Sequence, residues 1–338
     1  FKLILIRKDT KLISQVKEGK IKYSVVVAVY NRPEEMAELL ESISMQDFKD
    51  IEIVVVDDGS EKSSREISFK YSKNLKISYY FTENQGPALA RNFGVSKSVG
   101  EWILFFDSDC TIPKNYFFEV EKFLENNSID FFGGPDMMDD SFSILQKSIN
   151  FSMTSLLTTG GIRGNKRSID KFLPRSFNMG IKRKDFDEVG GFSDIRQYGE
   201  DLDLSYKLIF SEKKSALIPD AKVFHKRRTT LLHFFNQMFK SGKGRYFLNL
   251  KYRNTFKPFH LFPTLFVIGI ISIIILLIFN DIFFSSMISY IYLSYAFLIF
   301  IFSSLYNKNI LIGVISVVTT FYQFIGYGLG YIFAVIRR

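Results

Sequence analysis

At 338 residues the chain is long enough for two soluble domains, but its C-terminal fifth is almost uncharged, which excludes a second soluble domain there. The net charge of +9 is just as uneven, because no Asp or Glu occurs from 221 to 280 while basic residues run from Lys222 to Lys257. A single cysteine, Cys110, excludes an intramolecular disulfide framework and fits a reducing compartment.

Phe1 to Ile6 are apolar but too few for a signal peptide, and no small-residue cleavage site follows, so residues 1–21 are expected to form an N-terminal arm. From Lys22 onward, apolar β-rich runs alternate with helical patterns, the mark of a mostly parallel sheet covered by helices. Tyr23–Val29 predicts a buried strand. Pro33 then opens a helix with Met36, Leu39, Leu40 and Ile43 on one face. Ile51–Val56 predicts a second strand, ending in Asp57-Asp58-Gly59-Ser60. A polar helix, a third strand over Ile77–Phe81 and a helix from Pro87 lead to a strand over Trp102–Phe106, which ends in Asp107-Ser108-Asp109.

Acidic residues therefore recur just past the carboxyl ends of strands, where open α/β sheets bind ligands. Asp and Ser in such places also make Asx-turns and helix caps, so each acid taken singly fits either reading. The Asp-x-Asp pattern occurs at Asp185 to Asp187 and at Asp201 to Asp203 as well. Only Asp107-Ser108-Asp109 follows a strongly apolar strand and precedes a helix opened by proline, Pro113. Two carboxylates there can hold a hard divalent cation, which would neutralise a diphosphate leaving group.

With these elements in place the sequence resembles the inverting family 2 glycosyltransferases of GT-A fold. The matching segments are Val25-Val-Val-Ala-Val-Tyr-Asn-Arg32, Val54-Val-Val-Asp-Asp-Gly-Ser60, Asn84-Gln-Gly-Pro-Ala-Leu-Ala-Arg-Asn92, Asp107-Ser108-Asp109, Val189-Gly-Gly-Phe192 and Gly199-Glu-Asp201. The resemblance implies an α/β fold, GT-A and Rossmann-like, with a mostly parallel sheet and helices on both faces, over residues 22–245. It implies that Ala28 and Tyr30 line the nucleoside pocket, that Asp58 accepts from a base ring nitrogen and that Asp57 supports the turn. Gly86 and Arg91 would close over base and phosphate, although an ordinary salt bridge explains Arg91 equally well. Asp107 and Ser108 would contact the donor, with Asp107 also beside the metal. Asp109 would ligate Mg2+ or Mn2+, joined by His225.

The same resemblance makes Asp201 the general base toward the acceptor hydroxyl and Glu200 its positioning partner. A glycine-rich stretch, Thr158 to Asn165, is expected to be a mobile segment over donor and acceptor. Asn178 is a candidate acceptor contact. Gln237, Lys240, Lys243 and Arg245 resemble a segment that touches diphosphate or acceptor in membrane-bound members. That segment departs from processive polysaccharide synthases, which carry a tryptophan after the arginine; here Tyr246 follows.

Residues 246–260 read as a basic juxtamembrane segment, and 261–338 as a membrane region with two or three hydrophobic helices over roughly 261–279, 283–305 and 309–334. No polar face is expected to recur at helical spacing in these stretches. Basic residues before the first one put the catalytic part on the cytoplasmic side of a cell membrane, in contact with anionic lipid. Three spans would leave Arg337 and Arg338 outside, against the positive-inside tendency, so the alternative to a third span is a stretch that is re-entrant or lies in the interface. The expected partners are a nucleotide-diphospho-sugar, a lipid-linked or membrane-proximal saccharide acceptor and membrane lipids, with no nucleic acid. The competing functions are a polyprenyl-phosphate sugar synthase, a processive polysaccharide synthase and a non-catalytic nucleotide-sugar-binding scaffold.

Overall fold

The computed structural model describes residues 21–161, 172–194 and 199–337. The expected N-terminal arm, the part of the glycine-rich stretch from 162 to 165, and Arg338 lie outside the described residues. The elements run in the order β1 (Tyr23–Val29), α1 (Pro33–Ser44), β2 (Ile51–Asp58), α2 (Arg65–Tyr71), β3 (Ile77–Thr82), α3 (Pro87–Ser96), β4 (Trp102–Phe105), β5 (Cys110–Thr111), α4 (Tyr116–Asn126), β6 (Phe131–Gly133) and β7 (Asp136–Met137). They continue with α5 (Ile144–Thr154), α6 (Leu156–Thr159), β8 (Met179–Lys182), α7 (Arg183–Glu188), α8 (Glu200–Phe210), β9 (Ser215–Leu217), β10 (Val223–His225), α9 (Leu231–Lys251), α10 (Phe262–Ile278), α11 (Ile282–Asn307) and α12 (Ile310–Ile336). The chain divides into two units, the first holding the sheets and the second holding α5, α6 and α9 to α12.

In the first unit a seven-stranded sheet has the order β3-β2-β1-β4-β8-β6-β9, and β5, β10 and β7 form a smaller sheet. Strands β1 to β4 pair in parallel, whereas β8 runs antiparallel to both β4 and β6. Both faces of the large sheet are covered, which is why β1 reads as an unbroken apolar run rather than an alternating one. Val25, Val27 and Val29 face the α1 residues Met36, Leu39, Leu40 and Ile43. Val26 points the other way, into a cluster with Val54, Val56, Ala88, Ala90 and Val95. The same close packing explains Gly94 in the interior of α3, since a Cβ there would lie 2.5 Å from Cγ1 of Val26.

In the second unit, α10, α11 and α12 are long and apolar enough to cross a membrane. Their positions match the three apolar stretches expected. Contrary to the expectation of no recurring polar face, α12 carries Ser316, Thr319, Thr320 and Gln323, spaced to share one helix side, and all four are buried. Ser152 of α5 shares hydrogen bonds with Thr319 at 2.7 Å and Thr320 at 3.0 Å, and Ser303 of α11 donates to Ser316 at 2.7 Å. The polar side thus meets protein, where hydrocarbon would leave it unsatisfied. Helix α9 approaches α12 backbone to backbone: a Cβ at Gly242 would lie 2.0 Å from the Tyr327 carbonyl oxygen, and one at Gly330 would lie 2.0 Å from that of Phe239.

Gly94→Ala tests the packing of α3 on the sheet. Alanine gains about 1 kcal/mol of helix propensity, but forcing a methyl into a filled core costs about 1–3 kcal/mol. Thermal unfolding in detergent should therefore show a lower Tm, while Ala at the solvent-facing Ser96 should not lower it.

Candidate active site

The loops after β1, β2 and β4, the start of α8 and the end of β10 carry most of the residues singled out from the sequence. Half-buried Ala28 lies in β1, and Tyr30, just past its end, is 50% exposed. Asp57 is fully engaged in shaping its turn: Oδ1 accepts from Ser60 N at 3.0 Å, and Oδ2 from Ser64 N at 3.1 Å and Tyr79 OH at 2.7 Å. Asp58 accepts from Gln85 N at 2.8 Å and Gly86 N at 2.9 Å, one on each oxygen. It thereby holds the entry to α3, and each oxygen keeps a lone pair for a further donor. Gly86, at φ 93°, adopts a left-handed conformation that would strain any side chain.

Arg91 reaches from α3 to two acidic elements at once. Its Nη2 donates to Asp107 Oδ1 at 2.7 Å and its Nη1 to Glu200 Oε1 at 3.3 Å, with the guanidinium over the ring of Phe192. Burial lowers its pKa, but Asp107 and Glu200 outweigh this, and the net direction is upward. It is therefore a permanent buried cation. Glu200 moves the other way from an ordinary carboxyl: burial first, and the neighbouring charge of Asp201 second, raise its pKa despite Arg91. Asp201 begins α8 beside it, with Arg175 Nη1 3.5 Å from its Oδ2. Both carboxylates sit at a helix N-terminus, where the backbone dipole favours negative charge.

Asp109 follows β4 and is only 7% exposed in its side chain. Arg32 pairs with its Oδ2, and His225 Nε2 lies 3.2 Å from its Oδ1. The two residues meet because β5 and β10 pair, with Cys110 opposite His225 in the register. His225 Nδ1 is buried without a hydrogen bond, 3.9 Å from Oδ2 of Asp136 in β7, and Phe177 covers the ring. Among the described residues, Asp109, Cys110 and His225 form a group whose ligand atoms lie within 4.8 Å of one another. A carboxylate oxygen and a neutral imidazole suit Mg2+ or Mn2+. The Cys110 sulfur suits neither, since burial raises its pKa well above the usual value and keeps it a thiol. Asp107 is not part of this group and is turned to Arg91.

Three other expectations fall differently. Buried Ser108 is brought to the site between the two acids. Asn178 is 1% exposed, with Tyr116 OH donating to its Oδ1 at 2.6 Å and its own Nδ2 donating to Ala221 O at 2.8 Å, so its placement does not support contact with an acceptor. Gln237, Lys240, Lys243 and Arg245 lie on α9 in the second unit, Lys240 exposed and Arg245 buried. Arg32, Asp136 and Arg175 had not been assigned roles. Arg32 stood inside the first matched segment; Asp136 and Arg175 carry no local signal and are found only by tertiary contact.

A family model described as glycosyl transferase family 2 matches residues 24–190. The poly(ribitol-phosphate) beta-N-acetylglucosaminyltransferase TarS of Staphylococcus aureus is 38% identical over 114 residues, 32% of this chain and 20% of that one. The poly-beta-1,6-N-acetyl-D-glucosamine synthase of Staphylococcus epidermidis is 23% identical over 312 residues, 90% of this chain and 74% of that one. The mannosyltransferase PcManGT of Pyrobaculum calidifontis, solved with GDP-Man and Mn2+, superposes with a TM-score of 0.55 at 17% identity, covering 72% of this chain and 67% of that one. The chain spans about a fifth of the length of several curated relatives it matches.

Removing Arg91 while keeping its bulk should be costly. Arg91→Met leaves Glu200 buried without its cation, a type of change that costs about 3–5 kcal/mol; Asp107, at 30% side-chain exposure, softens the loss. Denaturant unfolding should show the drop, and adding Glu200→Gln to Arg91→Met should recover part of it.

Proposed function

We propose that this chain, a family 2 glycosyltransferase, moves a sugar with inversion from a nucleotide-diphospho-sugar to a saccharide acceptor held at a membrane surface. The observation that supports this reading best is the pairing of two acidic elements across one buried cation, Asp107 and Glu200 on Arg91. It brings the acidic element after β4, which carries Asp109, and the start of α8, which carries Asp201, into one site.

In this reading Asp58 and the backbone after β1 and β3 receive the nucleoside. Asp109 and His225 would hold a divalent cation, which supplies charge compensation for the departing diphosphate. Asp136 lies 3.9 Å behind Nδ1 of His225, and closing that gap would let it orient the ring, as carboxylates behind ligating imidazoles do. Asp201 takes the proton from the acceptor hydroxyl as that oxygen bonds to the anomeric carbon and the bond from this carbon to the diphosphate oxygen breaks, so the nucleoside diphosphate leaves with the electron pair. Glu200 is turned to Arg91, 3.3 Å from Nη1, and serves to place the start of α8.

The likeness over nine tenths of the chain to a poly-N-acetylglucosamine synthase supports a second reading, repeated addition to a growing chain. Product length distinguishes the two. A single added sugar per acceptor supports transfer; a ladder of products supports polymerisation.

Two outcomes test the first reading. Asp201→Asn is nearly isosteric and should leave nucleotide-sugar affinity in calorimetry close to wild type, while single-turnover transfer falls about 10²–10⁴-fold; an equal fall in both would make Asp201 a donor-site residue. The three apolar helices should hold the chain in the membrane fraction through an alkaline wash until detergent is added. Release without detergent would remove the membrane-surface acceptor from the proposal.

A further inference from the structure

The two oxygens of Asp109 face different partners. His225 approaches Oδ1, and Arg32 Nη1 donates to Oδ2. The backbone aims Arg32 at this spot. Asn31, immediately before it, has φ 55°, a conformation non-glycine residues seldom hold. It is pinned there by its N–H donating to Ser60 Oγ at 2.8 Å and by its Oδ1 accepting from Lys62 N at 3.0 Å. Arg32 follows as the first residue flanking α1.

The partners in this pair are unequal. The Asp109 side chain is 7% exposed and Arg32 32%. A carboxylate so enclosed is costly without a cation, whereas the guanidinium has solvent beside it and can leave. A guanidinium and a divalent cation on the same carboxylate repel each other, so a metal arriving at Asp109 and His225 acts against Arg32. Its nearest other acids, Glu35 and Asp107, also act on it but do not hydrogen-bond it. A released guanidinium beside a nucleotide site matches a pair of phosphate oxygens better than any other side chain does.

We propose that Arg32 is a resident counter-cation of Asp109 that an entering divalent cation displaces, and that the freed guanidinium then grips the diphosphate of the donor, so that metal and donor load together. The inference rests on the reading of Asp109 as a metal ligand. It makes Arg32 a positioning residue that holds the empty site neutral and reports its filling to the donor.

Calorimetry on the full chain in detergent tests it, with Mn2+ alone, with UDP or GDP alone, and with Mn2+ and nucleotide together. Arg32→Gln should bind Mn2+ alone roughly 5–10-fold more tightly than wild type, and Mn2+ should then improve nucleotide affinity by a smaller factor than in wild type. Arg32→Lys, which keeps the charge, should return Mn2+ affinity toward wild type without restoring the full coupling. Unchanged or weaker Mn2+ binding by Arg32→Gln, in protein whose Tm and Trp102 fluorescence match wild type, overturns the displacement. Failure of the underlying metal reading looks different: wild type binds no Mn2+, or Asp109→Asn binds it as wild type does. Either result removes this inference as well.

Discussion

Four carboxylates, Asp107, Asp109, Glu200 and Asp201, gather past strand ends and at one helix start, and their mutual repulsion is the constraint the site is built around. Three guanidinium groups from different elements meet them: Arg91 from α3 takes both Asp107 and Glu200, Arg32 from the turn before α1 takes Asp109, and Arg175 from the approach to β8 lies beside Asp201. Arg91 matters most, because it is buried and spans two acids that are far apart in sequence. A fold that failed to bring α3, β4 and α8 together would leave that guanidinium unpaired in the interior. The electrostatics of the site and the topology of the sheet are therefore one requirement.

Much of the first unit was legible from residue pattern alone. β1 after Ser24 and β2 after Glu52 are apolar runs because both their faces are covered, and the acids that end β2 and β4 stand where an open sheet offers a crevice. What the sequence could not express is pairing across elements. Nothing local distinguishes Asp136 from a surface acid, yet the small sheet brings it behind His225. Asn178 sits beside a strand edge and read as available, but Tyr116 from α4 and the Ala221 carbonyl close over it. Arg32 was inside a recognised segment and still carried no assigned role, because its partner is 77 residues away.

The membrane-type helices show a different failure of pattern reading. Overall apolarity hid a polar side on α12, because Ser316, Thr319, Thr320 and Gln323 are outnumbered by Val, Ile and Phe around them. The hydrogen bonds of Ser316, Thr319 and Thr320 to α5 and α11 show that this side is an internal seam. Small residues carry the contact to α9, where Gly242 and Gly330 let two backbones approach within reach of each other's carbonyls. Close van der Waals approach of this kind holds helices together where lipid offers no hydrophobic drive.

The three apolar helices also differ in length: α10 has 17 residues, α11 26 and α12 27. At a rise of 1.5 Å per residue, α10 is about 25 Å long and α11 about 39 Å. With the helical turn Pro258–Leu261 before it, the α10 span has 21 residues and comes close to a hydrocarbon core of about 30 Å, which is thinner than α11. In a bilayer the span that ends in α10 matches that core, while α11 and α12 exceed it and lean, kink or thicken the lipid around them. One matched span and two over-long ones share a packed bundle, so longer acyl chains relieve α11 and α12 while reaching past the ends of the α10 span. Acyl-chain length thereby becomes a variable that sets the posture of this bundle.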